Sequence, residues 1–305
     1  MQGFILARVV QAVVTLLILS LVVFLSVKLT GDPAAYMLGP DQGRMEYEQI
    51  MEQLGLNRPL HVQYWDFLTD ILRLDFGKSH FLERSAREVL LERLPATLQL
   101  AGAAFGLALI VGIPLGVMSA VKRDSWLDNF GKLFAVMGIA TPNFWVAIML
   151  ILLFGSILGV LPTFGRGGLD HLILPAFVLG WSAMAGMVRL GRSAMLEVLD
   201  SEYIRFARVK GLTENVVIWK HAFRNGVIPI LTFSGLTLAG LLNGSVAVEV
   251  VFAWPGIGRL MLQGIRTSDF PIVSATVMAS GFFYIVTALM VDILYAYVDP
   301  RIRVQ

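Results

Sequence analysis

The chain contains no cysteine and few charged residues for its length. Charged side chains make up 15% of its 305 residues, against about 25% in an average soluble domain. Without cysteine, disulfides, thiolate nucleophiles and cysteine-ligated metal sites are excluded. A hydrophobic content of 56% and a mean hydropathy of +0.73 indicate a membrane protein instead.

The sequence also lacks the motifs of an enzyme. Its four histidines, His61, His80, His171 and His221, are scattered and show neither HExxH nor paired spacing. Gly77-Lys78-Ser79 resembles the end of a P-loop, but Leu72 stands where that motif needs its first glycine, and no strand precedes it. We therefore predict no catalytic, cofactor or metal site, and a net charge of +2 gives no indication of a nucleic-acid partner.

Six apolar runs are long enough to cross a bilayer, which predicts an all-α, polytopic membrane protein with six transmembrane helices. The first run is longer than a signal-peptide core, and no convincing cleavage site follows it, so it is expected to be retained. GxxxG pairs at Gly102/Gly106 and Gly112/Gly116 predict close helix packing. The runs are 9–27, 97–121, 133–158, 172–190, 228–248 and 272–298.

The distribution of lysine and arginine predicts the orientation. The loop after the third run carries Arg166 alone, whereas the loops after the second and fourth runs are rich in basic residues. This alternation places both termini and residues 192–227 in the cytoplasm. The long polar segment 30–96 is then extracytoplasmic, since long loops translocate regardless of their charge.

Residues 200–231 form a basic amphipathic stretch between two apolar runs. Their pattern predicts two short helices broken near Gly211, with Thr213 as N-cap of the second and Pro229 where the next element begins. Such a stretch either docks on a partner or is a solvated basic loop beside a membrane helix.

Ionisable residues near the runs give no sign of ion coupling. Glu249, Asp292 and Arg189 fall near predicted interfaces, where snorkelling or local pairing explains them. A proton-coupled carrier usually needs a carboxylate near mid-membrane, and no repeated selectivity filter indicates a channel. The chain therefore has the features of one subunit in an assembly that is powered by another.

The sequence resembles the inner-membrane permeases of binding-protein-dependent ABC importers, in particular the B-type subunits of the dipeptide/oligopeptide/nickel group, which includes the glutathione importer. No single motif is specific, but their order along the whole chain is. The motifs are Gly31-Asp32-Pro33, Leu54-Gly55-Leu56, Arg58-Pro59-Leu60, Leu94-Pro95-Ala96-Thr97-Leu98, Gly112-Ile113-Pro114-Leu115-Gly116, His171-Leu172-Ile173-Leu174-Pro175, Arg192-Ser193-Ala194-Met195-Leu196-Glu197, Trp254-Pro255-Gly256-Ile257-Gly258 and Asp299-Pro300-Arg301-Ile302-Arg303.

The resemblance implies that residues 200–227 are the EAA loop, whose two helices dock into a groove of the ATPase subunit. Arg205, Phe206 and Ala207 stand at the Glu-Ala-Ala positions, and Gly211 at the glycine. Residues 221–224 replace the usual Ile-x-Leu-Pro, as in peptide-type members. The implied coupling residues are Glu202, Arg205, Ala207, Arg208, Val209, Lys210, Gly211, Leu212, Val216, His221, Arg224 and Asn225.

The resemblance further implies a bacterial or archaeal inner-membrane permease that translocates small peptides, or glutathione, by alternating access. Its partners would be a second homologous permease, two ATP-binding subunits or one homodimer of them, and an external solute-binding protein. ATP and Mg²⁺ would be used by the ATPase subunits and not by this chain. The expected divisions are a first helix at 1–29, an extracytoplasmic segment at 30–96 and a transmembrane core at 97–305.

Alternatives remain at this point. Nickel and other small-solute importers share these motifs, so the substrate and the residues lining its pathway stay open. A carrier that works without ATP is the alternative from a different class, and it would have to transport solute when purified alone.

Overall fold

The computed structural model describes residues 2–30, 44–53 and 55–298. Apart from one isolated bridge between Lys78 and Ser85, the regular structure of these residues is helical. The motif residues 31–33, Leu54 and 299–303 lie outside the described residues. The helices are α1 (Gln2–Thr30), α2 (Arg44–Gln53), α3 (Leu60–Leu72), α4 (Ala86–Val121), α5 (Trp126–Ala140), α6 (Asn143–Ile157), α7 (Leu169–Leu199), α8 (Glu202–Val209), α9 (214–251), α10 (Ile257–Arg266) and α11 (Phe270–Val298).

Five of these helices are long and apolar enough to cross a membrane, namely α1, α4, α7, α9 and α11. The predicted span 133–158 is not one straight helix, because α5 and α6 meet there at 108°. Pro142 fixes its own φ and disfavours the helical conformation at Thr141, which is extended with ψ 130°. Counted as one broken span, this pair brings the total to six.

Helix α7 forms the centre of the bundle and packs against α4, α5, α6 and α9. Glycines allow the backbones to approach closely. A Cβ atom at Gly116 would lie 2.9 Å from the carbonyl oxygen of Val188, and one at Gly180 would lie 2.8 Å from that of Ala104. Gly112 contacts α7 in the same way, whereas Gly102 and Gly106 face open space. Only one of the two predicted GxxxG pairs therefore packs within this chain.

Two helix boundaries differ from those predicted. Helix α4 begins at Ala86 and includes Pro95, so the division expected at residue 96 falls inside a helix. The second helix of the 200–227 segment is not short, because α9 continues from Glu214 through a π-helical stretch, Val217–Ala222, into the span. Pro229 lies inside α9 and does not begin an element. Long spans tolerate proline because neighbouring groups satisfy the freed carbonyls.

The bundle has two distinct ends. At the first, which we call the basic end, α8 packs against the last turn of α4, and Arg8 of α1 pairs with Asp292 of α11 at 3.4 Å. At the opposite end, residues 75–85 contact the junction between α10 and α11. There Asp269 accepts hydrogen bonds from the Ser79 hydroxyl and from the backbone N–H of Phe81.

Candidate functional site

Helix α8 presents two different faces at the basic end. Ile204 and Ala207, one turn apart, are buried at 0% and 8% exposure against Val117, Met195 and Val217. The opposite face leaves Phe206 67% exposed and Val209 85% exposed. Large apolar side chains held outward by a well-anchored helix are typical of a surface that binds a partner.
 A tight turn at Gly211 ends α8, as the sequence predicts. Gly211 has φ +77°, in the left-handed region that glycine adopts at little cost. Its N–H donates to the carbonyl of Arg208 at 2.9 Å, and the Leu212 N–H reaches the Ala207 carbonyl at 3.4 Å. Thr213 occupies the N-cap position of α9, but its side chain makes no capping bond.

Two ion pairs lie in this segment, and one of them crosses the turn. Arg208 spans it with a bond from Nε to Oε1 of Glu214 at 2.8 Å, and Arg205 pairs with Glu202 at 2.8 Å. Because these side chains are exposed, each pair contributes little to stability. Both pairs place a predicted basic residue, Arg205 or Arg208, next to a glutamate of the same segment.

Tyr203 joins α8 to α9 through hydrogen bonds. Its hydroxyl accepts from the Asn225 amide at 2.7 Å and donates to the backbone carbonyl of His221 at 3.1 Å. The Asn225 amide also donates to that carbonyl at 3.2 Å. Sequence reasoning included Asn225 and His221 but missed Tyr203, whose role depends on this contact between helices.

These elements surround an open depression of about 500 Å³. Five of the twelve predicted coupling residues line it, with Tyr203 and Phe206 beside them: Glu202, Ala207, Lys210, Leu212 and His221. Val209, Val216 and Arg224 are exposed but do not line it. The structure therefore brings five of the twelve predicted residues together in one depression.

A buried carboxylate links helices α5 and α7. The side chain of Asp128, on α5, is 0% exposed. Its carboxylate forms ion pairs with Nε of Arg192, on α7, at 2.6 Å and with Nζ of Lys132 at 2.9 Å. A second bond joins the Arg192 guanidinium to the other carboxylate oxygen at 3.0 Å. Bidentate geometry makes this a specific link between α5 and α7. Sequence analysis missed Asp128, because its partner on α7 is distant in sequence.

Glu249 lies near the end of its span and has local partners, as expected, but it is buried. It is 0% exposed at the opposite end, where its carboxylate accepts from the Thr97 hydroxyl at 2.7 Å and the Arg259 N–H at 3.0 Å. The Ile257 N–H in turn donates to Thr97 Oγ1 at 2.8 Å. Glu249 and Thr97 thereby fix the N-terminus of α10 to α4 and α9, where a carboxylate is favoured by the helix dipole.

Comparisons with protein families cover nearly the whole chain. The model "Binding-protein-dependent transport system inner membrane component" matches residues 112–304, and a model of the corresponding N-terminal region matches residues 1–101. The chain belongs to this family. The resemblance seen in the sequence motifs is thus confirmed.

Two relatives that match over nearly the full length are named as transport permeases. The chain is 41% identical over 312 residues to a putative peptide transport system permease protein of Brucella abortus (strain 2308), covering 99% of both chains. It is 40% identical over 304 residues to the glutathione transport system permease protein GsiC of Salmonella typhimurium, again with 99% coverage of both.

Solved structures share the fold at low sequence identity. An inward-facing MetNI methionine ABC transporter gives a TM-score of 0.56 at 17% identity, covering 69% of this chain and 96% of that one. An amino acid ABC transporter gives 0.54 at 16% identity, covering 70% and 94%. The all-α membrane fold expected from the sequence is confirmed.

Proposed function

We propose that this chain is the membrane-spanning subunit of an ATP-driven importer for small peptides or glutathione. Its full-length relatives carry those substrates in their names, at 40% identity or more. Alternating access would expose a pathway through the bundle to each side in turn. ATP can bias that equilibrium only if its binding subunits contact the two states differently.

The observation that carries the proposal is the exposed face of α8. Phe206 and Val209 project from a helix whose other side is buried. The depression beside them would receive a complementary surface of an ATP-binding subunit, and Lys210 at its edge would orient an acidic group. Because α9 continues directly into a span, a push on the 200–227 segment would reach the membrane core without passing through a flexible loop.

The assembly would contain a second homologous permease, two ATP-binding subunits and an external solute-binding protein. ATP and Mg²⁺ would bind to the ATP-binding subunits, and this chain would have no ATPase site of its own. The basic end would face the cytoplasm together with both termini, a placement supported by the lysine and arginine distribution and by the Arg8–Asp292 pair at that end.

Substituting Val209 tests the docking surface with little risk to folding. Since Val209 is 85% exposed, Val209→Asp is expected to leave thermal stability unchanged while it introduces a charge into an apolar contact. We expect binding of ATP-binding subunits to fall at least tenfold, measured by co-purification in mild detergent. Met45→Asp, at a 75% exposed apolar position of α2, is the matched control.

The proposal is refuted if Val209→Asp retains ATP-binding subunits and ATP-dependent uptake at the control level. Transport by the purified chain alone, in liposomes without ATP, would instead support an independent carrier.

A further inference from the structure

An apolar groove outside the 200–227 segment has no assigned role. It lies between α1, α3, α4 and α11 and has a volume of about 560 Å³, within the range of small-molecule pockets. Its walls are apolar and include Leu17, Leu68, Leu90 and Phe282. Among the described lining residues, Ser20 is the one with a polar side chain. The Ser20 hydroxyl is already engaged by the Leu17 carbonyl at 2.8 Å.

The groove extends into the membrane from the opposite end of the bundle. Leu72 and Leu74 lie at its mouth, next to the start of α4, while Val13 of α1 and Phe283 of α11 lie deeper along their spans. A cavity this apolar does not hold ordered water. Three of the helices that form the groove, α1, α4 and α11, are candidate membrane spans. The groove would therefore face the hydrocarbon of the bilayer.

An exposed arginine lies close to one end of this groove. Arg87 lies on α4 one turn before Leu90 and Leu91, on the same face of the helix, and it is exposed. It forms no ion pair within the described part of the chain. Arg73, next to Leu72, is also exposed, but its charge is offset by Asp70, which lies close to Asp66 and Asp75.

Apolar walls inside the bilayer and arginine at its boundary match the two parts of a phospholipid. We propose that the groove binds an acyl chain of an anionic phospholipid of the outer leaflet, with the headgroup phosphate held by Arg87. Guanidinium groups bind phosphate in a bidentate manner and remain charged at any physiological pH. The leaflet follows from the orientation proposed above, but binding itself does not depend on coupling to ATP.

Native mass spectrometry of the assembled transporter tests the site. The probes are phosphatidylglycerol and phosphatidylethanolamine with identical acyl chains, at equal concentrations. We expect retention of phosphatidylglycerol, and a preference lowered about fivefold by Arg87→Gln, the effect of one basic residue near a membrane surface. Arg84→Gln is the control, since Arg84 is exposed in the same region but pairs with Glu92 at 3.0 Å.

Filling the groove separates its role from surface charge. Ala279→Phe places a ring in the cavity and should abolish retention of both lipids. If that variant misfolds, a phosphatidylglycerol with a diazirine at the end of its acyl chain gives a second readout in the wild type, with labelling concentrated on Phe282 and its neighbours. The proposal fails if Arg87→Gln keeps the preference, if a folded Ala279→Phe retains lipid, or if labelling is spread evenly over the lipid-facing helices. It also fails if a helix of the second permease fills the groove.

Discussion

The turn at Gly211 allows the coupling hypothesis to be tested through backbone strain alone. A Cβ atom at this position would meet nothing within 4 Å, so substitutions there incur no packing cost. A residue with a side chain still has to adopt the left-handed φ of +77°. For alanine this conformation costs about 1–2 kcal/mol. A strain of that size changes the population of the turn by a factor of roughly 5–30.

The substitutions should therefore follow a graded order. Gly211→Asn should be the mildest, because asparagine enters the left-handed region more readily than other residues. Gly211→Ala should be intermediate. Gly211→Pro should be the most severe, since proline fixes φ near −65° and removes the N–H that donates to Arg208 at 2.9 Å. The turn would then have to reorganise, and the position of α8 with it.

The assay measures ATP-binding subunits co-purified per permease, followed by ATP-dependent uptake in liposomes with the solute-binding protein supplied. We expect both quantities to fall in the order Asn, Ala, Pro, while the amount of permease in the membrane stays constant. Full assembly and uptake with Gly211→Pro would refute the reasoning. Equal losses for Ala and Pro would show that backbone strain is not the cause.

Two further predictions concern buried carboxylates. Asp128→Ala should lower the free energy of unfolding by about 3 kcal/mol, the low end for breaking a buried pair, because Arg192 is still 23% exposed. A thermal melt in detergent measures this. The control is Asp124→Asn, because the Asp124 side chain is 79% exposed and asparagine tolerates its φ of +60°; an equal loss in the control would contradict the prediction. Glu249→Gln should lower the free energy of unfolding by about 1–3 kcal/mol, because it leaves one buried hydrogen bond unmade. Glu197→Gln, at an exposed residue, should be neutral in the same melt. Equal melting temperatures for the two variants would contradict this prediction.

The features predicted correctly from the sequence are local ones. A run of apolar residues needs no partner to be recognised as a span, and the glycine at 211 marks a break because few other residues adopt its φ. The same holds for α8, whose alternation of basic and apolar residues follows the helical period. These signals depend on neighbours within one or two turns.

The features missed depend on contacts between distant parts of the chain. Nothing near Glu249 in sequence reveals that Thr97 and the Arg259 N–H will surround it. Proline is ambiguous as well, because Pro142 breaks a span whereas Pro95 and Pro229 lie within helices. The difference comes from packing around each residue and not from its type.

The central claim is that this chain couples to separate ATP-binding subunits through the 200–227 segment. Its most direct test is a pull-down of the detergent-solubilised protein, with identification of the chains that accompany it. The account predicts a second permease and ATP-binding subunits in the wild type, with the ATP-binding subunits lost in Val209→Asp. A chain that purifies alone and moves solute across liposomes without ATP would contradict it.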